Sequence, residues 1–168
     1  ASPSPPTVLD QVDNFGLVTE IETVDVNNDG FLDILLGRTR SSPFYSGRSI
    51  QVLQNNQDST FTDVTSQVFS TQDLTGQWIV KMILVDLNGD SEEDLVLKYD
   101  LTDLINPHDV YIKQGSTYVP FTPLTANGGL IPIDYDNDND IDLLVHEMVS
   151  FGSNQQYFKW EVFQNTTN

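Results

Sequence analysis

The sequence predicts an all-β fold made of three repeats of one unit. Two observations carry that expectation. One short acidic pattern occurs three times and each time turns directly into an apolar run, between flanks rich in strand-forming residues. The copies begin at Asp25, Asp86 and Asp134, so they stand 61 and 48 residues apart, about one supersecondary unit per copy.

The first copy is Asp25-Val-Asn27-Asn-Asp29-Gly30-Phe31-Leu-Asp33, followed by Ile34-Leu35-Leu36. The second is Asp86-Leu-Asn88-Gly-Asp90-Ser91-Glu92-Glu-Asp94, followed by Leu95-Val96-Leu97. The third is Asp134-Tyr-Asp136-Asn-Asp138-Asn139-Asp140-Ile-Asp142, followed by Leu143-Leu144-Val145. Asp or Asn stands at the first, third, fifth and ninth places of each loop. Oxygen-bearing side chains at alternate places of a tight turn converge on one hard cation, and Ca²⁺ takes six to eight oxygens in irregular geometry. The expected ligands are Asp25, Asn27, Asp29 and Asp33; Asp86, Asn88, Asp90 and Asp94; and Asp134, Asp136, Asp138 and Asp142. The backbone carbonyls of Phe31, Glu92 and Asp140 complete the sets at the seventh place. The expected cofactor is therefore about three Ca²⁺, one per repeat. Ser91 and Asn139 stand where the first loop has Gly30, the residue that most easily turns left-handed.

Two other readings compete. An EF-hand loop opens the same way but needs a Glu at the twelfth place and helices on both sides. The twelfth residues here are Leu36, Leu97 and Val145, and the flanks are β-rich. Ordinary Asx turns need no metal. Three copies in matching register, each crowding carboxylates that repel one another, favour a cation over that bland reading.

The elements follow in order. Repeat one offers strands near residues 16–26, 33–38, 48–55 and 60–68. Repeat two offers 77–87, 94–100, 108–114 and 117–122. Repeat three offers 130–135, 142–149 and 156–165, and no fourth. The division is then an arm and donor strand at 1–12, and units at 13–68, 69–122 and 123–168.

The run Asp-x-Asn-x-Asp-Gly-x-x-Asp-Ile-Leu-Leu-Gly37 resembles the FG-GAP or VCBS repeat, found in integrin α-type β-propellers and many secreted bacterial proteins. Val52-Leu-Gln-Asn55-Asn56-Gln-Asp58-Ser-Thr60-Phe61-Thr62-Asp63-Val64-Thr65 resembles the same family's strand, Asn-rich turn and following strand. Lys98 and His146 depart from it, replacing the Gly after the apolar run, which puts the local turn there in question. The resemblance implies three β-propeller-type blades of four antiparallel strands, with calcium in the first loop of each.

Three blades are too few to close a ring, since propellers have about four to eight. The fold is then a partial propeller or one completed between molecules. Pro6-Thr7-Val8-Leu9-Asp10-Gln11-Val12 reads as a spare fourth strand before the first blade, while the third blade lacks one. One spare strand and one missing strand suggest a homo-oligomer built head to tail by strand donation, as a ring or a filament. A piece cut from a larger propeller is the alternative.

Composition sets the remaining bounds. The net charge of −18 makes nucleic acid an unsuitable partner. Thirteen acidic residues lie in the loops, and three Ca²⁺ would bring −18 to −12. There is no cysteine and no run apolar enough to span a membrane. Weak calcium sites and a Ser/Pro-rich start, Ala1-Ser-Pro-Ser-Pro-Pro-Thr7, point to an extracellular, secreted or cell-surface protein. Asn165-Thr-Thr167 is the one N-glycosylation sequon, so Asn165 is the candidate of a glycoprotein. No nucleophile is paired with His108 or His146. Glu20, Glu22, Glu147 and Glu161 offer carboxylates but no specific pair, so catalysis is not expected. The functional expectation is a calcium-stabilised structural or adhesive module. Its alternative is a ligand- or carbohydrate-binding one, with Tyr45, Trp78, Tyr111, Tyr118, Tyr157 and Trp160 as stacking aromatics.

Overall fold

A computed structural model describes residues 14–72, 74–99, 109–121, 128–138, 140–151 and 155–165, with backbone alone at 128–130, 146–151 and 155–158. The expected donor strand at 6–12, His108 and Asn139 lie outside the described residues. The fold is all-β and its sheets are antiparallel meanders. The first holds β1 (Leu17–Val24), β2 (Asp33–Ser41), β3 (Phe44–Asn55) and β4 (Phe61–Asp63). The second holds β5 (Ile79–Val85), β6 (Asp94–Tyr99), β7 (Asp109–Gln114) and β8 (Thr117–Phe121). The third holds β9 (Gly128–Ile133), β10 (Asp142–Phe151) and β11 (Gln155–Phe163), in the order β11-β10-β9. These are blade-type sheets of four, four and three strands among the described residues, and they close no barrel.

Strand alternation decides how the sheets stack. Each apolar run follows the ninth-place Asp at the start of a second strand. In β6, Leu95 and Leu97 enter one core with Val24, Leu35, Ile50 and Val52 of sheet one. Val96 between them points the other way, into a second core with Val110, Leu143 and Val145. Sheet two is thus sandwiched and buries both faces. The rule repeats: the second residue of the run (Leu35, Val96) meets the following sheet, and the first and third (Leu95 and Leu97, Leu143 and Val145) meet the preceding one.

Polar clasps reinforce the first of these interfaces. The Arg48 guanidinium lies 4.2 Å over the Tyr99 ring and 3.3 Å from Asp109, and donates to the Thr75 carbonyl at 2.9 Å. Lys81 donates to Glu20 and Glu22 at 2.5 and 2.6 Å. That exposed pairing adds little stability.

Two expectations need correction. The fourth strand of repeat one, read as 60–68, ends at Asp63, and Thr65–Val68 form a helical turn, α1. The cause is local. Asp63 Oδ1 accepts from the Thr65 N–H at 3.0 Å and its hydroxyl at 2.6 Å, and that hydroxyl accepts the Val52 N–H at 2.9 Å. This Asx turn diverts the chain, and α1 tucks Val64, Val68 and Phe69 between sheets one and two. The second correction concerns the Gly after the apolar run. Lys98 and His146 raise no question of a turn, because they lie within β6 and β10. Gly37 lies within β2, where a Cβ would stand 3.4 Å from Ile79 Cβ and 3.3 Å from Glu20 Cβ. Its smallness admits the next sheet rather than bending the chain.

Phe69 is buried, with its ring 5.3 Å from Tyr111 edge-on and 5.4 Å from Tyr118 stacked. Phe69→Ala should therefore cost about 3–5 kcal/mol. Urea unfolding followed by tryptophan fluorescence would measure it, and a loss below about 1 kcal/mol would show that α1 does not help hold the sheets together.

Candidate metal centres

The three loops join the first and second strands of their sheets. In loop one, Asp25 Oδ1 accepts from the Asp29 N–H at 3.0 Å and Oδ2 from the Gly30 N–H at 2.7 Å. In loop two, Asp86 Oδ1 accepts from Gly89 and Asp90 at 2.8 and 3.2 Å, and Oδ2 from Ser91 at 2.8 Å. The fifth-place carboxylate accepts the N–H two residues on: Phe31 to Asp29 at 2.9 Å, Glu92 to Asp90 at 2.8 Å, Asp140 to Asp138 at 3.1 Å. These bonds wind each loop around its own side-chain oxygens. The bond from Phe31 is the main reason the Asp29 carboxyl sits below the usual carboxylate range, followed by that from Asn27.

Tight winding needs left-handed backbone at two places. At the sixth, Gly30 has φ of 86° and Ser91 has 67°, so Ser91 adopts the glycine conformation. At the fourth, Asn28, Gly89 and Asn137 have φ of 59°, 75° and 62°. Sequence reasoning missed the fourth place, although Asn and Gly are the residues that enter this region most readily.

The ninth-place aspartates do something different. Asp33, Asp94 and Asp142 are buried, and each grips backbone with both oxygens. Oδ2 accepts from the second residue of its own loop: Val26 at 3.0 Å, Leu87 at 2.8 Å, Tyr135 at 2.8 Å. Oδ1 accepts from the end of the third strand: Asn55 at 2.7 Å, Lys113 at 2.7 Å, Asn165 at 2.8 Å. Burial raises the Asp94 carboxyl against these stabilising bonds. As a ligand, each of these residues would add an ion to two existing bonds.

Loop three differs from its sisters. Loops one and two carry Asn at the third place, and its amide donates to the fifth-place Asp at 3.0 Å from Asn27 and 2.9 Å from Asn88. Loop three carries Asp136 there, which offers no such donor. Asp134, Asp136 and Asp138 bring one carboxylate oxygen each within 4.8 Å of one another. Asp134 Oδ1 and both oxygens of Asp140 are shielded from water, with no hydrogen-bond donor among the described residues. The Asp140 carboxyl is pushed up to about 6, first by desolvation and then by Asp138. Asp136 is raised for the same two reasons. An all-oxygen donor set with orphaned, mutually repelling carboxylates fits a hard divalent cation.

Other candidate residues lie elsewhere. Glu20 and Glu22 hold Lys81, and Glu161 holds Lys159 at 3.3 Å, so these acids stand in ion pairs. The Asn165 side-chain amide, where a glycan would attach, donates to the Leu87 carbonyl. The aromatics divide: Tyr111 and Tyr118 are core, while Trp160 is exposed.

Residues 25–97 match the model of the FG-GAP-like repeat. The match bears out the resemblance read from the sequence, and it spans loops one and two. No curated protein matches the chain.

The raised Asp140 carboxyl gives a pH prediction. A carboxyl whose pKa rises from 3.8 to about 6 on folding binds its proton more tightly in the native state. Stability from this group is therefore present at low pH and lost as pH rises through that window. In chelator, thermal unfolding should fall in temperature between pH 4 and pH 6, and Asp140→Asn should flatten that slope. An unchanged slope in the variant would remove Asp140 as its source.

Proposed function

We propose, from the premise that residues 25–97 match an FG-GAP-like repeat, that this chain is a calcium-stabilised extracellular structural or adhesive module that self-assembles head to tail. Calcium is the ion that suits the loops' oxygen donors and irregular spacing, and weak sites suit the millimolar calcium outside cells. Asp25, Asn27 and Asp29 would hold it in loop one, Asp86, Asn88 and Asp90 in loop two, and Asp134, Asp136 and Asp138 in loop three, with the ninth-place aspartates and the seventh-place carbonyls completing each set. FG-GAP repeats are typical of extracellular proteins, and no helix among the described residues is long and apolar enough to cross a membrane.

One observation carries the assembly. Among the described residues β11 pairs with β10 alone. At the end of β11 lies a groove of about 660 Å³ between sheets two and three, lined by Val110, Val119, Phe121, Leu143 and Phe163. The equivalent place between sheets one and two is filled by Tyr118 of β8 together with Val64, Val68 and Phe69 at α1. The third sheet has no such strand among the described residues. Residues 6–12 of a second copy supply it: an extended segment that pairs with β11 and sets Val8 and Val12 against the sheet. Pro3, Pro5 and Pro6 donate no ladder bond and lie outside the pairing or at its start.

A second reading, carbohydrate binding, has its own observation. Phe44, 69% exposed, lies 4.3 Å from Tyr45, whose ring is 5.0 Å from Trp78, an aromatic surface of the kind that stacks on sugars. Glycan arrays with and without calcium would separate it from the structural reading.

Each calcium at ten times its dissociation constant adds about 1.4 kcal/mol, so chelation should lower the melting temperature by about 10 °C if three sites fill. Deleting residues 1–12 should leave a folded, calcium-binding chain that sediments as a monomer while the full chain forms oligomers. A deletion variant that assembles as the full chain does would overturn strand donation. A melting temperature indifferent to chelator would overturn the calcium module.

A further inference from the structure

The three loops share a motif but not their partners. Lys113, at the end of β7, is 3% exposed. Its ammonium donates to the Asp25 carbonyl and to Asn28 Oδ1, both at 2.8 Å, and lies 4.0 Å from Glu92. Asn28 in turn donates to Glu92 at 2.5 Å. One buried cation from sheet two thus sits between loop one and the seventh place of loop two. Lys113, Asn55 and Asn165 are equivalent residues, since each gives its backbone N–H to a ninth-place Asp. Only Lys113 among them carries a charge. Asn55 donates to the Leu32 carbonyl of its own loop, and Asn165 to the Leu87 carbonyl of the preceding one. Loop three instead receives a neutral amide from Gln164 on Asp136, at 3.2 Å. Its buried oxygens on Asp134 and Asp140 have no donor among the described residues.

We propose that Lys113 is a built-in cation that takes over part of the calcium requirement of loops one and two, so that the fold's dependence on calcium is graded and concentrated in loop three and its sheet. This rests on the calcium reading above. The physical argument is one of charge balance. A fixed ammonium at hydrogen-bond distance from a loop offsets carboxylate repulsion that an ion would otherwise offset, and it repels an incoming Ca²⁺. Loops one and two are further closed by their Asn–Asp amide bonds, which need no metal. Among the described residues loop three shows neither device. When its ion leaves, the repulsion falls on Asp142 and on the bonds from Tyr135 and Asn165 that fasten β11.

Hydrogen exchange on the full-length chain, titrated with a calcium buffer, tests this. Lowering calcium should speed exchange of the β10 and β11 amides about tenfold or more at a calcium level where those of β2, β3 and β6 stay protected. Lys113→Met should bring loop one and its strands into the same calcium-dependent class, and Lys113→Arg, which keeps the charge, should not. The wild-type profile stands as a test even if Lys113→Met fails to fold. Loss of protection in all three sheets at one calcium level overturns the proposal and leaves the calcium module standing. So does a folded Lys113→Met with an unchanged profile. Exchange that ignores calcium everywhere, with no heat of binding, overturns the calcium reading and this inference together.

Discussion

The structure depends on three buried carboxylates that hold backbone with both of their oxygens. Asp33, Asp94 and Asp142 each tie the start of one loop to the end of a strand, through backbone N–H groups on both. Burying an ionised carboxylate is costly, and two backbone donors per residue are what make it tolerable. The arrangement fixes the distance between first and third strands of a sheet at the loop end. Everything that follows in sequence, the apolar run above all, is placed in register by that grip.

The register then decides which side of each sheet is apolar. A run of three apolar residues would be a liability on a sheet with one wet face. Here it is needed, because successive residues face successive neighbours. Val96 in one core and Leu95 and Leu97 in the other make sheet two a wall shared by two rooms. Gly37 lets Ile79 close to the backbone of sheet one, and Arg48 and Tyr99 seal the same interface at its polar margin. Packing of this kind is specified by alternation and by size, both of which are written in the residues themselves.

That is why most of the architecture was legible. The loops and the strands on either side of them follow from spacing and period. What was hidden depends on side chains folding back on backbone. Asp63 with Thr65 turns an expected strand into α1, and nothing in Thr62-Asp63-Val64-Thr65 distinguishes that outcome from an exposed edge strand. The loop residues were legible as oxygen donors, but not the division of labour among them. A carboxylate at the ninth place looks like one at the fifth until its burial is known. Lys113 was invisible as a site residue, because 85 or more positions separate it from the loop-one atoms it touches.

The grip of the ninth-place aspartates has a consequence for the order in which the chain can fold. Its two bonds join residues 7 and 22 apart in sheet one, 7 and 19 apart in sheet two, and 7 and 23 apart in sheet three. Each sheet can therefore close its own frame as soon as its third strand emerges from the ribosome, without waiting for a distant partner. Short sequence separation of this kind favours fast, local closure of each frame. The stacking contacts join residues farther apart in sequence, sheet one to sheet two and sheet two to sheet three. A chain made in this way grows like masonry laid in courses, each course bedded on the one before.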